Sequence, residues 1–350
     1  MKKFKSLIYT FFLVAVCSCA TNFEEEKSIL LTKEETPDLT ATFNLDQEQA
    51  QNFKDKPKSE NKIEAPVEKV KETKSKVKKD NKIKVPEAKE QVPEEEYSEV
   101  FKGYDAKSKL AWDKFKPVFY QGEQSIMSLT YLGVTAGYIT ILSKEVVSMN
   151  NKSVFHFFTR FKSSDSYSYF YWLDDKIDSY VEKETFLPVK YSLIQREKKQ
   201  NVDDLQLFDF NKMKTFFWYK RVKEGSNKDE KGSGAIPKLT QDSFSALQFI
   251  RGLPLQKGDV YEFPVATRGK IWLLKVDVVA EEVINVDGKD VRAVKIKAET
   301  HFPGVLKKSG DIYFWYGTDP ERRLLKFQAK IKIGSIYGEL VEYKPGVKVL

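Results

Sequence analysis

Between Thr21 and Glu96 the chain holds only three aromatic residues, Phe23, Phe43 and Phe53, while Lys, Glu, Gln and Pro dominate. A segment so poor in apolar groups cannot bury enough surface to offset the entropy lost on ordering. Any substantial core is therefore confined to the residues from Tyr97 onward, where aromatic density rises abruptly. Residues 19–96 read as a disordered, charged tether and 97–350 as the folding unit. The charge of the tether is blocky, with eight acids against two lysines over 21–48 and nine lysines against three acids over 69–89. As a flexible coil of about 76 residues it would span roughly 45–55 Å, and at most about 250 Å when stretched.

The first residues carry a different signal. Met1–Lys5 holds three lysines, followed by an eleven-residue apolar run, Ser6–Val16, and then Cys17, Ser18, Cys19 and Ala20. A spanning helix needs about 20 apolar residues, so residues 1–18 read as an export signal removed on maturation. Val16-Cys17-Ser18-Cys19 resembles a bacterial lipobox, which implies acylation of Cys19; ordinary secretion is the alternative. Several acyl chains, at about 0.8 kcal/mol per buried methylene, would hold the protein on a membrane without crossing it. Ala20, standing where an inner-membrane lipoprotein carries Asp, favours the outer membrane, facing the periplasm. The mature chain would then keep no thiol pair for a disulfide.

The whole chain has a net charge of +8, and residues 97–350 alone carry +9. Export argues against nucleic acid as the partner of this basic unit, whereas anionic envelope surfaces, a cell-wall polymer or an envelope protein fit it.

Within the folding unit strand patterns succeed one another. Ser125–Tyr131 alternates apolar with polar, Gly133 and Gly137 punctuate, and Tyr138–Leu142 resumes the alternation. Val146-Val147, Asn150-Asn151 and Val154–Phe158 predict a hairpin, and Lys176–Val181 with Pro188–Arg196 predict another. Further strands are expected at Leu205–Phe210 and Thr215–Lys220, with a loop over Gly225–Lys238. The second half replays the first. Ile141, Glu145, Val146, Val147, Lys152 and Val154 correspond to Val278, Glu282, Val283, Ile284, Lys289 and Val291 at a constant offset, with the hairpin pair Asp287-Gly288 standing where Asn150-Asn151 stood. Two related β modules are expected, near 124–222 and 259–345. Between them Asp242 precedes Phe244, Leu247 and Ile250 at helical spacing, and Gly252 and Pro254 end the run, so a short helix should dock there by one face. A second helix is expected over about Tyr104–Phe115.

The fold class is thus mainly β: curved or partly closed antiparallel sheets from two related modules, with one or two short helices. Val154–Phe158 and Phe216–Tyr219 are apolar on both faces, so one face must be covered by something beyond the sheet itself.

The chain lacks ready-made chemistry. It has two His, His156 inside an aromatic strand and His301 before a turn, and no nucleophile elbow, phosphate-cradling loop or metal-spaced His/Cys set. No catalytic residue, metal site or cofactor is expected. The acidic pairs Asp174-Asp175, Asp203-Asp204 and Glu281-Glu282 read as solvated turns, because neighbours on a strand face opposite ways and cannot act as an acid/base pair. The one suggestive cluster is Asp319, Glu321, Arg322 and Arg323 beside Trp315, with Arg251 at the end of the central helix. Guanidinium groups bond carboxylate or phosphate in pairs, so the cluster could hold an anionic head group or a partner's acidic loop; the alternative is a hairpin turn with exposed ion pairs. Arg251 could instead satisfy its own helix's last carbonyls.

The order of motifs resembles a bacterial envelope family known as domain of unknown function 3108. The residues that carry the resemblance are Tyr131-Leu132-Gly133-Val134 with Gly137; Ile177–Val181 with Glu184-Thr185 and Leu187-Pro188; Asp242–Arg251 with Leu253-Pro254; Gly310-Asp311-Ile312 with Trp315; Thr318-Asp319 with Glu321-Arg322-Arg323; and Lys330–Ser335. It covers about 122–341 and implies an exported β-rich protein, with no catalytic residue. Two functions stand as expectations, neither of them enzymatic. One is a lipid-anchored module binding an amphiphilic envelope ligand or partner on a concave aromatic face. The other is a structural or interaction protein of the envelope without a small ligand.

Overall fold

The computed structural model describes residues 31, 32, 43, 45, 46, 49, 97–301, 311–331 and 334–349; Cys19, the export signal and most of the tether lie outside them. The first half comprises β1 (Leu31–Thr32), α1 (Glu99–Lys114), β2 (Tyr120–Gln121), β3 (Gln124–Tyr131), β4 (Val134–Ser143), β5 (Val147–Met149), β6 (Lys152–Ser163), α2 (Asp165–Ser168), β7 (Asp174–Glu182), β8 (Pro188–Arg196), β9 (Gln200–Asp209), β10 (Lys214–Lys223) and β11 (Lys228–Ala235). After it come α3 (Ser245–Arg251), β12 (Val260–Thr267), β13 (Lys270–Val286), β14 (Lys289–His301), β15 (Ile312–Gly317), β16 (Leu324–Lys330), β17 (Ser335–Lys344) and β18 (Val347–Lys348).

Nearly all the strands join one antiparallel sheet, ordered β1-β11-β10-β9-β8-β7-β6-β4-β3-β17-β16-β15-β14-β13-β12, with β5 on β6; β2 and β18 pair separately. It consists of two up-and-down meanders. They meet where the first long strand of one pairs with the last long strand of the other, from Tyr131 opposite Ile336 to Gln124 opposite Lys344. Tight turns enforce the meander: Leu132-Gly133, Asn150-Asn151, Arg268-Gly269 and Asp287-Gly288 all have positive φ, as two-residue hairpin turns with right-handed twist require. Strand boundaries recur along the chain: β12 lies 136 residues after β3, and β17 lies 135 after β9, while β13 runs unbroken where β4 and β5 are separate. β10 and β11 have no counterpart in the second meander.

The far ends of the sheet curl onto one another. The β12–β13 turn reaches the inner face of β9–β11, where the Arg268 N–H donates to Gln206 Oε1 at 2.8 Å and its guanidinium lies 4.2 Å over the Tyr219 ring. Gly234 is required there, since a Cβ on it would stand 2.5 Å from the carbonyl oxygen of Gly269. Residues 228–235, expected as a loop, form β11, paired throughout with β10. Their Lys, Asp, Glu and Gly content lacks any apolar alternation because over 228–231 the strand lies at the sheet's edge with its charges toward water, and Gly234 faces the Gly269 backbone.

Among the described residues the interior of the curl is packed with aromatic side chains. α3, expected to dock by one face, is buried on nearly every side: Phe249 stacks on Phe115 at 4.4 Å, on Trp112 at 4.6 Å and against Phe263 at 4.9 Å. Its start is fixed by Asp242, whose Oδ1 accepts from the N–H groups of Phe244 and Ser245 at 2.7 Å, while Ser179 donates to Oδ2. Phe119, Phe155, Phe157 and Phe186 complete the plug.

The outer face of β9 and β10 receives an unexpected cover. Phe43 and Leu45, placed by composition in the disordered tether, are 4% and 8% exposed and pack on Leu205, Leu207, Phe216 and Trp218. Gln49 accepts from Lys190 at 2.8 Å, and β1 pairs with the outer edge of β11. Burying a Phe and a Leu stabilises such a contact by about 1.5–3 kcal/mol each, enough to order a few residues of an otherwise sparse segment.

Candidate functional site

The short connection from β15 to β16 folds back on the C-terminal end of α3. Arg251, 7% exposed, donates to both oxygens of Glu123 at 2.7 Å and through Nε to the Glu321 carbonyl oxygen at 2.7 Å. Tyr343 also donates to Glu123, at 2.9 Å, and burial holds its phenol well above the usual range. Arg323 donates to Asp319 at 2.8 Å and lies 4.7 Å over the Tyr343 ring, while Arg322 donates to the Leu253 carbonyl oxygen. The structure thus brings Arg251, Asp319, Glu321, Arg322 and Arg323 together, with Glu321 contributing its backbone. The guanidinium of Arg251 serves Glu123 and the Glu321 carbonyl rather than its own helix's last carbonyls. Trp315 stands apart: it points to the other face of β15, donates to Glu282 and lies under Lys295.

Glu123 gave no sequence signal, being a lone acid after Gly122. A cavity of about 30 Å³ lies beside it, lined by Ser125, Gln248, Arg251, Tyr316 and Arg323 among others. That volume suits a water or two. With Arg251 and Arg323 engaged by carboxylates, the arrangement is a brace between the central helix, the start of β3 and the β15–β16 turn.

Two further polar sites escaped sequence reading because the acids stand in strands, not in the solvated turns expected. Asp174 faces outward and binds Arg160 through two bonds of 2.6 and 2.7 Å. Asp175, its neighbour, is 4% exposed and shares Gln195 with Glu197, at 3.2 and 3.4 Å; Glu197 also accepts from Tyr171 at 2.8 Å and Gln200 at 3.2 Å. Burial pushes both carboxyls above the ordinary range, and the charge of Asp175 raises Glu197 further. Asp204, facing Arg268 at 3.7 Å, is pushed up by burial to about 6. His156 lies in β6 against Asp178 at 2.6 Å and stacks on Tyr180. Among the described residues no three His, Cys, Asp or Glu side chains are grouped to hold a metal ion.

The profile of a family of proteins of unknown function, DUF3108, matches residues 127–341, from β3 to β17, and so covers both meanders without α1 or the N-terminal segment. Among solved structures the chain is similar to a β-barrel-like protein of the domain of unknown function DUF1849 from Brucella abortus, with a TM-score of 0.43 and 12% identity over 65% of this chain and 99% of that one. It is also similar to a protein from Bacteroides fragilis described as exported, with a YmcC-like fold (TM-score 0.32, 11% identity, 66% and 99% covered). A third, from Parabacteroides distasonis, is described as a lipoprotein (0.31, 12%, 66% and 99%). No curated protein matches the sequence.

Proposed function

The chain belongs to the DUF3108 family of proteins of unknown function, and on that footing we propose that it is a non-enzymatic module of the bacterial cell envelope, held at the outer membrane by an acylated Cys19, that works by holding a macromolecular partner on its outer surface. The observation that carries this reading is the packed interior. A carrier of an amphiphile needs a hollow of several hundred Å³, whereas among the described residues Phe119, Phe155, Phe157, Phe186 and α3 pack against the concave side of the sheet. The basic charge supports an anionic or acidic counterpart on the envelope side.

The test is to purify the full chain from membranes without denaturant, record its intact mass under native conditions, and crosslink it in cells. The expected result is a protein free of non-covalent small ligands that crosslinks to a defined envelope component. A stoichiometric co-purifying amphiphile would overturn the reading in favour of a carrier.

A further inference from the structure

Between β6 and β7 the chain reads Tyr169-Phe170-Tyr171-Trp172, and the structure splits these four rings. Tyr171 is buried and bonded to Glu197, while Tyr169, Phe170 and Trp172 are 84%, 78% and 44% exposed. Their exposure is fixed by the frame. Ser164 caps α2 through the Tyr167 N–H, Ser163 exchanges hydrogen bonds with Leu173, and the Lys198 N–H holds the Trp172 carbonyl at 2.9 Å. Three large rings are therefore presented outward on a hydrogen-bonded tip, at a cost in exposed apolar surface that the fold itself does not require. The β3–β4 turn stands beside it, tied by Ser164 to the carbonyls of Thr135 and Ala136 at 3.0 Å, and adds exposed Leu132 and Val134.

The exposed charges around the tip are mostly positive. Lys162, Lys198 and Lys199 are exposed, and Lys198 Nζ lies 3.4 and 3.5 Å from the carbonyls of Phe170 and Tyr169. Of the nearby acids, Asp174 is closed by Arg160 and Glu197 is buried, leaving Asp165 exposed. An apolar, aromatic point with a cationic collar complements a surface that is apolar within and anionic at its rim. Trp and Tyr settle at that boundary, and lysines reach from apolar contact to phosphate.

We propose that Tyr169, Phe170 and Trp172 dock into an anionic bilayer surface, with Lys162, Lys198 and Lys199 on its head groups, giving the domain a second membrane contact besides its N terminus. This rests on the reading of the chain as membrane-held, and the experiment separates the two. The full chain is mixed with vesicles of phosphatidylethanolamine and phosphatidylglycerol, plain or brominated on the acyl chains, and flotation and tryptophan emission are read on the same samples. Wild-type emission should fall on brominated vesicles by a component that Trp172→Phe lacks. Tyr169→Ala with Phe170→Ala should need at least about tenfold more lipid to reach the same quenching. Lys198→Gln with Lys199→Gln should remove the dependence on phosphatidylglycerol. Quenching of Trp172 that persists in Cys19→Ser supports the tip independently of the anchor. Wild-type chain that floats with Trp172 unquenched overturns the tip contact while leaving the anchored reading intact, as would protection of Trp172 by a protein rather than by lipid.

Discussion

Glu123 and Arg251 are opposite charges sealed from water, with side chains 6% and 8% exposed. Their desolvation is offset only while both are present, so removing one leaves a bare charge at the end of the central helix. Arg251→Met should destabilise the fold by about 3–5 kcal/mol, and adding Glu123→Gln should recover much of that loss; thermal denaturation of the single and double variants checks it. Asp175 and Glu197 carry a different liability. The folded state holds their protons more tightly than the unfolded chain does, so their contribution to stability is greatest below the ordinary carboxylate range and falls as pH rises through the raised folded values. The melting temperature should drop by roughly 3–10 °C between about pH 5 and about pH 9, and Glu197→Gln should flatten the profile. These residues show why sequence reading reached the arginine cluster but not its meaning. Consecutive Arg322 and Arg323 are conspicuous, whereas Glu123 meets Arg251 only once the helix docks against the sheet, and Asp175 meets Gln195 only once β7 pairs with β8.

Secondary structure was most legible where turn chemistry and alternation agreed. The β3–β4 hairpin and the β7–β8 pair fall where period-two patterning and Gly or Pro marked them. β11 was illegible because an edge strand that meets water on one side and glycine backbone on the other needs no apolar residues. α3 was legible as a helix but not as a plug, since two of its buried polar residues, Ser245 and Arg251, find their partners inside the curl, in the Asp242 N–H and the Glu123 carboxylate. The seam at Gly234 permits a direct test at this scale. Gly234→Val drives a side chain into the Gly269 backbone, so it should cost about 1–3 kcal/mol and speed hydrogen exchange in β11 and the β12–β13 turn, with the β3–β17 junction unaffected.

Taken as a whole, the molecule is two meanders joined at β3–β17 and closed by a helix that belongs to neither, so the family unit at 127–341 coincides with the sheet's continuous core. The N-terminal segment is a later layer on that core. Phe43→Ala with Leu45→Ala should release it, exposing Phe216 and Trp218, so that a hydrophobic dye binds more strongly and limited proteolysis trims the chain before residue 97 while the β core survives. Of the two strands expected to need cover on a second face, Val154–Phe158 and Phe216–Tyr219, the second receives it from the one segment whose composition argued against order, through two isolated apolar residues. Docking at Leu31–Thr32 also changes the mechanics of the tether. If Cys19 is the fixed point, tension enters the protein at the outer edge of β11, after a leash of only twelve residues and about 40 Å, and the long lysine-rich stretch beyond residue 49 bears no load.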